Sequence, residues 1–161
     1  MIVIVMGVVG AGKTTVGRLL AEELGYRFAD ADDFHPQANI EKISKGIALS
    51  DVDRKPWLAR LREQILAWET AGTNAVLACS ALKRTYRDEL NAGAGVKFVY
   101  LKGRADLIAQ RLNARHGHFA NASILASQMA DLEEPADAVT VDIAQTPPEI
   151  VAGIRQKLGL A

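Results

Sequence analysis

One cysteine is all the chain has in 161 residues, so no disulfide can form within it. Cys79 lies inside the apolar run Ala75-Val76-Leu77-Ala78-Cys79, which suits a buried small hydrophobe rather than a nucleophile. Charge excess is missing too: Lys and Arg total 19, and so do Asp and Glu. Without a basic surplus there is no electrostatic footprint for nucleic acid or an anionic membrane, although local cation clusters can still bind a phosphorylated small molecule. Long apolar runs are also absent. The run Met1-Ile2-Val3-Ile4-Val5-Met6 has no basic segment before it and stops after six residues, which argues against a signal peptide or membrane span and makes the cytoplasm the expected location. Neither an N-K-x-D nor a D-x-x-G motif occurs, leaving nothing recognisable to select guanine or drive a nucleotide switch. No repeat, low-complexity tract or linker divides the chain, and its length suits one domain over residues 1–161.

What the chain does have is Gly7-Val8-Val9-Gly10-Ala11-Gly12-Lys13-Thr14, a match to the phosphate-loop pattern G-x-x-x-x-G-K-[ST]. The preceding run is rich in β-branched residues and too short for a helix, so it reads as a buried strand. Behind the loop, Val16, Leu19, Leu20 and Leu24 recur at helical spacing until Gly25. A loop so placed aims backbone N–H groups at a β-phosphate from a helix N-terminus. Lys13 then bridges β- and γ-oxygens, and the Thr14 hydroxyl ligates Mg²⁺.

The rest alternates strands with helices. Arg27-Phe28-Ala29 makes a short strand ending at Asp30-Ala31-Asp32-Asp33, and a polar region with His35-Pro36 and Gly46 follows. A helix from Ser50 or Asp51 to Gly72 buries Leu58, Leu61, Ile65 and Trp68; residues 75–79 are the third strand. Ser80 suits the N-cap of a helix reaching Leu90, Lys97–Leu101 the fourth strand, and 104–114 a further helix. Residues 115–135 show only a weak helical pattern and read as a mobile lid with its own short helix. Val139–Asp142 is the fifth strand, and the helix after Pro147-Pro148 buries Ile150, Val151, Ile154 and Leu158. The expectation is an α/β fold of three layers, a five-stranded parallel sheet with helices on both faces.

In such a sheet, ligands gather at the carboxyl ends of the strands, where the loop, Asp30 to Asp33, Ser80 and Asp142 all fall. Phosphoryl transfer needs a carboxylate to help hold Mg²⁺ and a group to orient or deprotonate the accepting hydroxyl; Asp30 and Asp32 can supply them. The rival reading is an ordinary solvated acidic turn. Arg111 and Arg115, four residues apart before the lid, can place cations over the γ-phosphate or form a plain basic face. His116-Gly117-His118 lacks partners at zinc-site spacing, and the sequon Asn121-Ala122-Ser123 has no meaning in a cytoplasmic chain.

Further segments carry a resemblance. These are Asp32-Asp33-Phe34-His35-Pro36 with Asn39-Ile40-Glu41-Lys42, Asp51-Val52-Asp53-Arg54-Lys55-Pro56-Trp57-Leu58, Cys79-Ser80-Ala81-Leu82-Lys83, Tyr86-Arg87-Asp88, Tyr100-Leu101-Lys102-Gly103, Arg111-Leu112 with Arg115, His118-Phe119 and Val141-Asp142-Ile143. From about Ile2 to Ile143 the chain resembles the gluconate kinases, phosphate-loop relatives of shikimate and adenylate kinases. The loop alone implies a nucleoside triphosphate; the H-P-x-x-N-I-x-K, D-x-D-R-x-P-W-L and C-S-A-L-K blocks point to gluconate.

The resemblance implies ATP:D-gluconate 6-phosphotransferase activity with Mg²⁺, often in a homodimer. It places ATP on Gly7, Gly10, Ala11, Gly12, Lys13, Thr14, Thr15 and Arg111, with the adenine near Asp142 and Gln145, and Mg²⁺ on Thr14 and Asp30. Catalysis falls to Lys13, Asp32, Arg111 and Arg115, and substrate binding to Asp32, His35, Arg54, Lys83, Arg87 and His118. Val9 and Ala11 depart from the family, many of whose members have Ser there. The residue chemistry agrees independently, because a small polyhydroxy acid needs a fixed cation and hydroxyl-binding groups. Arg54, Lys83 and Arg87 are the candidate cations, the last two on one helical face; Lys83 and Arg87 can equally be surface charges paired with acids such as Asp88. A kinase for another small acid or polyol, such as shikimate, is the alternative enzyme.

Overall fold

The structure, a computed structural model, describes residues 1–115 and 119–160. Five parallel strands, β1 (Ile2–Met6), β2 (Arg27–Asp30), β3 (Ala75–Ala78), β4 (Val96–Lys102) and β5 (Val139–Asp142), stand in the order β2-β3-β1-β4-β5. β1 is central and inaccessible along its length because helices cover both sheet faces. Its side chains alternate between two cores. Val3 and Val5 join the core under α1 (Lys13–Leu24), α5 (Ala105–Arg115) and α7 (Pro147–Lys157). Ile2, Ile4 and Met6 join the one under α3 (Asp51–Ala71) and α4 (Arg84–Leu90), where Trp57, Leu61, Ile65 and Leu90 are buried. A kink at Gly17 would be unnecessary, since its bare Cα is what lets α1 approach the sheet: an added Cβ would lie 2.9 Å from the Phe28 ring.

Helix ends follow the sequence signals in most places. Ser50 and Asp53 form a capping box on α3, Thr146 and Glu149 form one on α7, and Gly25 and Gly72 close α1 and α3 in the left-handed conformation.

Three elements differ from expectation. The polar region after Asp33 contains a 3₁₀ turn, Ala31–Phe34, and the helix α2 (Gln37–Ser44). Helix α2 inverts the usual pattern, burying Asn39 while Ile40 and Ile43 stay exposed, so no apolar stripe announces it. Ser80 is not an N-cap. The chain runs on from β3 through a turn in which Ala81 has φ 46°, and α4 begins only at Arg84, capped at Lys83. That turn is held by the guanidinium of Arg87, which donates to the carbonyls of Ala81 (2.8 Å) and Leu82 (3.0 Å). Thirdly, the lid region carries a full helix, α6 (Phe119–Asp131), anchored in the first core by Leu125.

Candidate active site

Loop geometry rests on glycine. Gly10 (φ 82°) and Gly12 (φ 96°) occupy the left-handed region, and a Cβ on Gly10 would fall 2.7 Å from Leu112, so α5 packs directly on the loop. Lys13 Nζ donates to the Val8 carbonyl at 3.0 Å, curling over the loop's mouth. Burial lowers the Lys13 pKa, and the nearby Asp32 charge opposes that shift.

Opposite the loop, the end of β2 presents the acidic pair. The Thr14 hydroxyl donates to Asp30 Oδ2 at 3.0 Å, while Asp30 Oδ1 accepts the Asp32 N–H at 3.0 Å. Hydroxyl and carboxylate thus meet as hard oxygen donors of the kind Mg²⁺ takes, and Mg²⁺ commonly draws its other ligands from water and phosphate. Among the described residues no three His, Cys, Asp or Glu side chains cluster as an all-protein metal cage. Asp32 projects into the cleft with its carboxylate open to incoming substrate. Desolvation by the cleft walls, then the Asp30 charge, raises its pKa.

Beyond Asp32 the cleft ends in a buried polar wall. His35 stacks on Trp57 with ring centroids 4.5 Å apart, and Trp57 is itself pinned by its indole N–H donating to Ala31 O at 2.7 Å. The Asn39 amide nitrogen donates to the Asp53 carbonyl at 2.8 Å and lies 3.2 Å from His35 Nδ1. Because that nitrogen is a donor, Nδ1 is the acceptor and the ring proton sits on Nε2, 3.8 Å from Asp32 Oδ1. Burial, with the Arg54 charge, pushes the His35 pKa down to about 4, so the ring is neutral at physiological pH. Arg54, also buried, donates to the Tyr86 hydroxyl at 3.0 Å and to Asp131 at 3.1 Å.

Lys13, Thr14, Thr15, Asp30, Asp32, His35 and Arg54 therefore line one cleft. A second cavity, on the other side of the loop, brings Arg111 and Gln145 to Gly10, Ala11 and Gly12, with Pro147 and Ile150 as an apolar wall suited to a flat base.

Two expected cations are placed elsewhere. Lys83 caps α4 instead of lying within it, so it shares no helical face with Arg87; its ammonium pairs with exposed Asp51 at 3.0 Å, and Tyr86 donates to the same carboxylate. Arg87 is buried and committed to three carbonyls, the third being Glu133 O at 2.8 Å, so its pairing is not with Asp88. Neither borders the cleft. Asp142 accepts from Ala144 N–H at 2.8 Å and turns the chain after β5. Of Arg115 only the backbone is described, and His118 lies outside the described residues. Sequence reasoning missed Trp57 and Gln128. Trp57 stood in the sequence only as a member of the D-x-D-R-x-P-W-L block, with no role of its own, and Gln128 sits on α6, whose weak pattern hid it.

Comparison with known proteins decides the family. A family model for shikimate kinase matches residues 9–158. A gluconokinase from Gluconobacter oxydans is 48% identical, covering 83% of this chain and 76% of that one, and a probable gluconokinase from Mus musculus is 42% identical, covering 98% and 97%. The chain belongs to the gluconokinase family of phosphate-loop kinases. A solved gluconokinase structure from Sinorhizobium meliloti superposes with a TM-score of 0.88 at 43% identity, over 98% of this chain and 90% of that one.

Membership in the gluconokinase family gives the sequence blocks a physical reading. His35, Asn39, Lys42 and Asp53 are one network, and Arg54 follows Asp53 on α3. Lys42 Nζ donates to both Asp53 oxygens at 2.9 Å, Asp53 caps α3, its carbonyl takes Asn39, and Asn39 orients His35. The H-P-x-x-N-I-x-K and D-x-D-R blocks therefore meet in space to hold two cleft side chains.

Proposed function

We propose that this chain transfers the γ-phosphoryl group of ATP to the 6-hydroxyl of D-gluconate, with Mg²⁺, as a cytoplasmic homodimer. The observation that carries the chemistry is the convergence of Lys13, the Thr14–Asp30 pair and Asp32 in one cleft closed by neutral His35 and cationic Arg54. Dimerisation rests on the family resemblance and location on the shortness of the sequence's apolar runs; among the described residues no helix is long and apolar enough to cross a membrane.

Each side chain has a task in that reaction. Loop amides and Lys13 take the phosphates, and the second cavity with Arg111 and Gln145 takes the adenine end. Thr14 and Asp30 hold Mg²⁺, which would offset charge on the phosphate oxygens. Asp32 accepts the proton of the attacking hydroxyl, and its raised pKa makes it a better base than an ordinary carboxylate. His35 offers Nε2–H to substrate hydroxyls. Arg54 receives the gluconate carboxylate, and the segment 115–135 closes over the nucleotide with Arg111 and Arg115.

A coupled assay with gluconate, shikimate, glycerate and glucose tests the substrate. Gluconate should be preferred, and glucose, which lacks the carboxylate, should be poor because it makes no charge-assisted contact with Arg54 in the cleft. Efficient use of glucose, or preference for shikimate, would overturn gluconate and leave the kinase standing.

Arg54 and Arg87 should part company on mutation. Arg54→Gln is expected to raise the gluconate KM about ten- to a hundredfold with the ATP KM nearly unchanged, since a charge-assisted contact of about 1.5–3 kcal/mol is lost. Arg87→Ala should instead leave both KM values alone and lower Tm by about 3–10 °C, because three carbonyls lose their donor. A gluconate KM that responds to Arg87 and ignores Arg54 would reverse the assignment.

A further inference from the structure

Gln128 is the one α6 side chain that touches the phosphate loop by a hydrogen bond among the described residues: its Oε1 accepts the Val9 N–H at 2.7 Å. Val9 follows Val8, whose carbonyl holds Lys13 Nζ. These two contacts use opposite ends of one trans peptide unit, Val8–Val9, so the ammonium and the amide flank the loop backbone from its two sides. A backbone N–H must face an acceptor, so the amide oxygen is the atom turned to the loop and the nitrogen is turned away from it. Gln128 also borders the cleft shared with Lys13, Asp30 and Asp32, and its NH₂ has no protein partner among the described residues.

We propose that Gln128 donates this amide N–H to an oxygen of the γ-phosphoryl group during transfer. Lys13 reaches the β- and γ-oxygens from one side of that peptide unit, and a neutral donor lining the same cleft from its other side adds a second fixed contact to charge on the transferring group without competing with Mg²⁺ for carboxylate ligands. Neutrality has a purpose here. Asp30 and Asp32 already face this space, and a third carboxylate would repel the triphosphate, whereas an amide accepts from the loop and donates to the phosphate at once. The geometry thereby makes the base of the lid part of the reaction site whichever way the remainder of segment 115–135 moves.

The inference rests on the kinase reading, and its test separates the two. Gln128→Met removes acceptor and donor with little change in size, and Gln128→Glu keeps an acceptor for Val9 N–H while removing the donor. Each purified variant is measured for ADP affinity, for kcat and KM with gluconate, and for slow ATP hydrolysis to water. Both variants should lose about ten- to a hundredfold in kcat and a similar factor in hydrolysis, and Gln128→Met should hold ADP affinity within about twofold, because ADP lacks the group Gln128 contacts. Wild-type kcat in Gln128→Met, or in Gln128→Glu alone, would overturn the inference, the second result leaving only a role in seating the loop. Loss of ADP affinity in step with kcat in Gln128→Met would overturn it as well, since the loop itself would then have moved. If the unaltered chain ignores gluconate, the substrate reading fails, while the hydrolysis measurements still decide the role of Gln128.

Discussion

Lys13→Ala is expected to lose at least about a hundredfold in kcat while the protein stays folded. Among the described residues the side chain makes a single hydrogen bond, to the Val8 carbonyl, so its removal deletes little that supports the fold. Its value lies in the reaction, where the ammonium meets charge on the β- and γ-phosphates in a space shielded enough to lower its own pKa. Water filling the gap cannot reproduce that, because a mobile dipole must reorganise as the charge moves. Circular dichroism and thermal melting establish folding, and a coupled assay gives kcat. Near wild-type turnover in a folded variant would remove the phosphate loop from the mechanism.

Asp32→Asn should fall by about a hundredfold or more in kcat with little change in nucleotide affinity. Among the described residues the carboxylate makes no hydrogen bond to the loop; it stands in the cleft 3.8 Å from His35 Nε2, where an incoming hydroxyl would meet it. Desolvation and the Asp30 charge raise its pKa above the ordinary 3.8. The base acts ionised, so turnover is full above that raised pKa and falls as pH drops through it. This acid limb should sit at higher pH than for an ordinary aspartate in the unaltered enzyme. Asp30→Asn is expected to behave differently, shifting the Mg²⁺ concentration needed for half-maximal rate, because Asp30 pairs with the Thr14 hydroxyl. Full kcat in Asp32→Asn would make Asp32 a turn residue.

Much of the site was legible because its residues lie at fixed offsets from local signals. A strand, a glycine loop and a helix place Lys13 and Thr14 without help from the rest of the chain, and the strand end places Asp30. Asp32 follows two residues later in the same turn, held by its N–H on Asp30. The second cavity likewise draws on the loop and on two helix ends near Arg111 and Gln145, each bounded by ordinary helix signals. Cations were harder. Arg54, Lys83 and Arg87 look alike in a sequence, but one lines the cleft, one pairs with exposed Asp51, and one supports a turn.

By itself the sequence determined the alternation of strands and helices, the phosphate loop and the acidic strand end, since these depend on periodicity and on residues within one turn of each other. Tertiary structure alone decided which polar residues turn inward. Helix α2 buries Asn39 because Asp53 and His35, from other segments, satisfy its amide. Arg87 could leave water only where the carbonyls of Ala81, Leu82 and Glu133 converge, and Gln128 gained its place from a loop more than a hundred residues away. A buried polar group is stable only with its partners, and partners distant in sequence leave no local pattern to read.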